Sequence, residues 1–207
     1  MEEPVPASPA SLPVPPVLLE TRPEDGTMPG ADARYTKTLG DLAGLYRDTA
    51  AFEAALAADS GAPVYWVESS TPEQGEGALT VGLSVMEPGT IGEEFYLTRG
   101  HLHRNAGRAE VYYGLSGHGV ILMDSLQGES HALEIGPGQA VHIPGHWVHR
   151  SVNVGTTRLA TLFAYAADAG QDYELIARAG GMRQLVVRDG DGWRTRPNPD
   201  HTGYRHD

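Results

Sequence analysis

The sequence predicts a mainly β protein: an antiparallel β-barrel carrying a short helical N-terminal extension. Two observations point there. Between Pro63 and about Tyr165, short runs rich in Val, Tyr, Leu and Thr follow one another, among them PVYWVES, LTVGLSV, AEVYYGLSG, GVILMD and TRLATLFAY. Turn signals separate them: Glu-Pro-Gly at 87–89, Gly-His-Gly at 117–119, Gly-Pro-Gly at 136–138 and Pro-Gly at 144–145. Many short strands at this spacing pair most economically in a sandwich or barrel. No internal repeat runs through the chain, so a stacked-repeat architecture is set aside.

The elements follow in order. Residues 1–33 hold many of the prolines and little periodicity, which predicts a flexible or polyproline-like arm. Its apolar patch, Val17 to Leu19, is suited to docking on the body or on a second subunit. Residues 34–62 are expected to form the helical extension, with Asp48 as N-cap, an Ala-rich run, and Gly61 as the stop. Residues 63–190 make the barrel. Within them QDYELIARAGG reads as a short helix, and LVVRDGDGWRT as a hairpin turning at Asp189-Gly190. Residues 191–207 are expected as a polar tail.

Composition narrows the function. A chain of 207 residues suffices for one sizeable core. The formal charge of −12 speaks against nucleic acid or a membrane surface as partner, since both call for basic patches. Cysteine is absent, which excludes disulfides, thiolate metal sites and a cysteine nucleophile. The acidic, proline-rich start lacks the charged and apolar regions of a signal peptide, and no apolar stretch is long enough to span a bilayer. A cytoplasmic protein is expected.

Histidines carry the chemistry. In TRGHLHRNAGRAEVYYGLSGHG, residues 98–119, strand alternation puts His101 and His103 on one face. Glu110 opens the next strand, where its neighbour across a hairpin is expected to be one of these histidines. The same alternation sets Arg99 opposite Thr98. A second cluster lies around PGHWVHRSVN, with His142, His146 and His149 as candidates. Three imidazoles and one carboxylate form a nitrogen/oxygen donor set suited to Fe(II), Mn, Ni, Zn or Cu. The other histidines, His118, His131, His201 and His206, read as loop or tail residues.

The two segments resemble the paired motifs of the cupin superfamily. His101, His103, Glu110 and Gly117 match the first, and Gly138, Pro144, His149 and Asn153 the second. That register selects His149 over its rivals, although His146 stands where Gly is usual and the gap from His103 to Glu110 is longer than the common one. The longer gap, with Ala-Glu-Val-Tyr and Ala-Asp-Ala-Gly-x-Asp-Tyr, is similar to the cupin-type phosphoglucose isomerases from about Tyr65 to Val187. The resemblance implies a jelly-roll cupin barrel that interconverts glucose 6-phosphate and fructose 6-phosphate. It implies one divalent metal per subunit, usually iron, with Mn, Ni or Zn as substitutes, and a homodimer. By matching position, His101, His103, Glu110 and His149 would be the metal ligands. Tyr65, Ser84, Thr98, Gly100, Tyr112, Tyr165 and Tyr173 would line the sugar-phosphate pocket. Ser84 replaces the usual Thr, and Gln171 stands where the family tends to have His.

Aldose–ketose isomerisation moves hydrogen between C1 and C2 of an open-chain sugar. A metal can polarise the carbonyl and hold two adjacent oxygens. Glu110 is the candidate base, and Tyr112, two residues along the same strand face, is placed to steady the O1/O2 proton. A hydride shift across the polarised carbonyl is the other route. Alternative readings are an isomerase of another sugar or sugar phosphate, an iron-dependent cupin dioxygenase, and a sugar-sensing module.

Overall fold

The structure is a computed structural model that describes residues 13–205; the first twelve residues of the expected arm lie outside it. The six-stranded sheet runs in the order β1 (Ala33–Thr38), β2 (Pro63–Ser70), β3 (Leu79–Met86), β11 (Leu159–Ala166), β6 (Glu110–Ser116), β9 (Ala140–Ile143). A three-stranded sheet follows the order β10 (Trp147–Asn153), β7 (Gly119–Ser125), β8 (Ser130–Ile135). A four-stranded sheet runs β13 (Gly192–Pro197), β12 (Gln184–Asp189), β5 (Glu94–Phe95), β4 (Thr90–Ile91). All strand pairs are antiparallel. Sequence neighbours such as β3 and β4 lie in different sheets, whereas β11 sits between β3 and β6. That non-sequential order is the crossing of a jelly-roll barrel.

The period of two explains the inner face. Along β6, Glu110 and Tyr112 are buried while Val111 and Tyr113 are exposed. Register then aligns inward residues across strands: Glu110 opposite Tyr165, Tyr112 opposite Phe163, and Thr161 opposite Ser84. Gly82 faces Phe163 in the same row. A Cβ there would lie 2.2 Å from the Phe163 ring and 2.7 Å from the Glu68 carbonyl, so only glycine leaves that ring its place. The main core fills the space between the sheets with residues such as Met86, Ile121, Val148 and Leu175.

A smaller cluster, Met28, Trp66, Leu83, Val85 and Ala160, lies on the other face of the large sheet. The chain before β1 covers it. Met28 is buried, its backbone N–H donates to Glu68 Oε2 at 2.5 Å, and the Trp66 indole donates to the Gly26 carbonyl at 2.6 Å. Leu19 packs on the cluster while Leu18 is exposed. The flexible arm expected over 1–33 is therefore pinned on the sheet through its second half.

The segment 34–62 is less helical than expected. It contains strand β1, a 3-10 turn at Gly40–Leu42 and helix α1, Thr49–Ala57. Asp48 caps α1, its side chain accepting the Ala51 N–H at 2.9 Å, but the helix stops at Ala57, short of Gly61. At the other end α2 spans Glu174–Arg178, and β12 and β13 form the hairpin. Its turn is Gly190-Asp191, one residue later than expected, and β13 occupies part of the expected tail.

Candidate active site

His101, His103, Glu110 and His149 come together inside the barrel, one potential ligand atom from each lying within 4.8 Å of the others. They do not arrive as a hairpin. Glu110 pairs with Ile143 on β9 and Tyr165 on β11, with no histidine beside it in the sheet. The histidine segment belongs to the opposite wall, where His101 bridges His149 and Leu102 bridges Asp172. Alternation holds locally, since Leu102 turns into the core between the two imidazoles. The stretch 98–119 thus crosses from one wall of the barrel to the other, and the histidines meet Glu110 across the interior.

The proton positions in the cluster are constrained. His103 Nδ1 lies 2.9 Å from the Arg108 carbonyl and His149 Nδ1 lies 3.0 Å from the Trp147 carbonyl. A carbonyl only accepts, so both Nδ1 atoms carry hydrogen; a neutral ring then turns a bare Nε2 lone pair inward, and a protonated one turns an N–H to Glu110. Those Nε2 atoms stand 3.1 and 3.0 Å from Glu110 Oε2, and His101 Nε2 is 3.8 Å away. Lone pairs facing a carboxylate need a positive charge among them. His101 Nε2 makes the same point, being buried without a hydrogen-bond partner among the described residues. A divalent cation meets every one of these requirements, and the donor set is the kind such ions take.

Without an ion, protons on the imidazoles supply that charge: burial alone would raise the Glu110 carboxyl, but hydrogen bonds from His103 and His149, and then histidine charge, outweigh it and hold the group below the usual carboxylate range. Burial would lower His103, yet its bonds to Glu110 and to the Arg108 carbonyl raise it. His101 is pushed well below its ordinary value, first by burial and then by the neighbouring His149, which keeps its ring neutral and ligand-like.

Three of the four, His101, Glu110 and His149, lie in the wall of a cavity of about 620 Å³ of atom-free space, its mouth included, with His103 behind them. Tyr65, Ser84, Thr98, Gly100, Tyr112, Tyr165 and Tyr173 all line it. Three of them have hydroxyl hydrogens left to donate. Thr98 Oγ1 accepts from Ser151 N–H at 3.1 Å, Tyr65 from Arg99 N–H at 3.4 Å, and Tyr165 from Gln171 Nε2 at 3.5 Å. Burial, then the charge of Glu110, pushes the Tyr112 phenol well above its ordinary value, so it stays protonated.

The family model described as Glucose-6-phosphate isomerase (GPI) matches residues 36–202. A glucose-6-phosphate isomerase of Sinorhizobium medicae is 45% identical over 170 residues, 82% of this chain and 79% of that protein. One from Thermococcus kodakarensis is 38% identical over 176 residues, 85% of this chain and 92% of that protein. The chain belongs to the glucose-6-phosphate isomerase family.

Within this family member, some cavity residues escape sequence reasoning. Arg99 was expected opposite Thr98, yet both line the cavity. Gly100 has φ +73°, and that left-handed residue breaks the alternation on which the expectation stood. The Arg99 guanidinium lies 4.7 Å over the Tyr173 ring. Tyr35 joins the wall from β1, in a segment read as helical, and its ring meets that of Tyr65 edge-on at 6.3 Å. Gln171 links two phenols, accepting from Tyr173 at 2.6 Å as it donates to Tyr165. Of the rejected histidines, His142 is exposed on β9 and His146 sits at φ 69° in the loop before β10.

Proposed function

We propose that the chain interconverts glucose 6-phosphate and fructose 6-phosphate, in the service of glycolysis and gluconeogenesis, with one divalent metal held by His101, His103, Glu110 and His149. The observation that carries this reading, beside family membership, is the inward convergence of three imidazole nitrogens on an ionised Glu110 in a phenol-lined cavity. Iron(II) is the favoured ion, with Mn, Ni and Zn as alternatives that the same donors accept. When bound it supplies Lewis acidity at the C1 or C2 carbonyl and a template for two adjacent oxygens.

The chain's own residues do the rest. Thr98, Tyr65 and Tyr165 offer hydroxyl hydrogens to phosphate oxygens, and Arg99 adds positive charge at the same wall. Ser84 keeps a hydroxyl in the row between Val67 and Thr161. Tyr173, its hydrogen engaged by Gln171, presents lone pairs and so accepts from a sugar hydroxyl. Glu110 is the only carboxylate on the cavity wall among the described residues, which makes it the base that takes a proton from C2 or C1. Its depressed pKa is a poor match to that task unless substrate loosens its contacts, and direct hydride transfer between the carbons avoids the demand. Tyr112, protonated beside it, can steady the O1/O2 proton on either route.

No helix among the described residues is long and apolar enough to cross a membrane. We place the activity in the cytoplasm, where its substrate belongs, and expect a homodimer. The test is conversion of fructose 6-phosphate coupled to glucose-6-phosphate dehydrogenase, on protein stripped by chelator and then given each metal in turn. Activity lost on stripping and restored by metal supports the reading. No activity with any metal overturns it, and oxygen uptake with iron would make the dioxygenase reading the successor.

A further inference from the structure

His149 and the next residue on β10, Arg150, both border the first cavity, but Arg150 reaches further. It forms part of a second, open-mouthed cavity, about 1180 Å³ of atom-free space with its mouth and adjoining solvent included, with Lys37, Arg47 and Arg99 in the same wall and Asp41 as the acid. Arg150 is only 5% exposed. Its one side-chain hydrogen bond among the described residues runs from Nη2 to the Arg99 carbonyl at 2.8 Å, and its Nε is buried without a partner. A guanidinium has five N–H donors. A cation buried this far, with no carboxylate bonded to it among the described residues, lacks the acceptors that would offset its lost hydration.

We propose that this cavity is a second anion site that takes the phosphate group of a small phosphate monoester. The charge available is local and only partly answered. Arg47 is engaged by Asp200 at 2.9 Å and Lys37 pairs loosely with Asp41 at 3.9 Å, while Arg99 and Arg150 form no ion pair among the described residues and feel Asp41, Asp124 and Glu94 only from farther off. In a chain of net charge −12 such a patch opposes the general field, so it selects anions only at close range. A phosphate offers several oxygens to flat guanidinium forks, a better match than a neutral sugar, and the space exceeds what inorganic phosphate alone fills.

Arg99 and Arg150 border both cavities, and Arg99 also stacks on Tyr173. An anion in the second cavity draws on charge that otherwise faces the first, so its binding weakens that of the sugar phosphate, and the reverse by linkage. This coupling rests on the proposed function; the site itself does not.

The test is calorimetric titration of the metal-loaded full chain with glycerol 3-phosphate, and in parallel with inorganic phosphate, with and without saturating fructose 6-phosphate. One site is expected to persist, weakened, under fructose 6-phosphate, with glycerol 3-phosphate tighter than phosphate. Lys37 does not line the first cavity, so Lys37→Glu is expected to weaken this site about tenfold or more, ~1.4 kcal/mol, while basal isomerase activity stays unchanged. A single site fully displaced by fructose 6-phosphate, or a Lys37→Glu protein that titrates like the wild type, overturns the proposal. Should fructose 6-phosphate not bind at all, the isomerase reading falls, and the Lys37 dependence still decides the second site.

Discussion

Among the buried carboxylates of this barrel, Asp124 and Glu110 differ most in the hydrogens that surround them. Asp124 on β7 is surrounded by donors: Ser130 Oγ at 2.6 Å, the Arg183 N–H at 2.8 Å and the Tyr204 hydroxyl at 2.6 Å. Each of these has a hydrogen to give, so the Asp124 charge is satisfied by the protein itself. Glu110 on β6 is surrounded by imidazoles: His103 and His149 already give their Nδ1 hydrogens to the Arg108 and Trp147 carbonyls, so they meet it through Nε2, and His101 Nε2 has no hydrogen-bond partner among the described residues. The first arrangement is complete and ties the tail to the barrel. The second is completed by a cation shared among its donors. Equal burial therefore says little about role, whereas the direction of the neighbouring hydrogens says a great deal.

Replacing each carboxylate by its amide breaks the comparison most sharply. Glu110→Gln is expected to lower kcat by roughly 10²–10⁴-fold and to reduce bound metal, read by assay and metal analysis, with the thermal transition of metal-free protein little changed. Asp124→Asn turns an acceptor into a group with an N–H pointing at donors. It is expected to cost roughly 3 kcal/mol, read by urea unfolding, while kcat/KM of the folded fraction stays near wild type. Should the two variants exchange these signatures, the contrast drawn here is wrong.

A smaller change isolates one bond. Tyr204→Phe keeps the ring, which stacks edge-on with His201 at 4.9 Å, and deletes only the hydroxyl that donates to Asp124. The expected loss is about 1–2 kcal/mol of stability with unaltered metal content. A drop in activity larger than the drop in folded fraction would show that the tail reaches the reaction.

What the sequence made legible follows from how local each signal is. The inner face of β6 and β11 could be read, because Glu110, Tyr112, Phe163 and Tyr165 obey a period of two. The Asp48 cap could be read because cap and helix are adjacent. Strand β1 could not: as an edge strand with mostly exposed residues it has no apolar alternation to show, and Tyr35 was missed with it. The meeting of His101 with His149 is a long-range bridge that spacing cannot reveal, so only the motif resemblance brought them together. Arg150 gave no signal, since an arginine beside His149 looks the same in sequence whether it is exposed or buried in a cavity wall.

Gln171 falls between the two carboxylates in kind, for it is a hydrogen-bonded part of the wall that also borders the space where substrate would lie. It fixes Tyr173 as an acceptor and leaves the Tyr165 hydrogen free. Gln171→Met removes both constraints at similar volume. Without the clamp each phenol can turn its hydrogen either way, so part of the population meets substrate with the wrong polarity. That loss falls on binding, and KM for fructose 6-phosphate is expected to rise about three- to tenfold, ~0.7–1.4 kcal/mol, with kcat nearly unchanged. A fall in kcat at constant KM would instead put Gln171 in the hydrogen-transfer step, and its neighbourhood would then have to be grouped with Glu110 rather than with the residues that grip the phosphate.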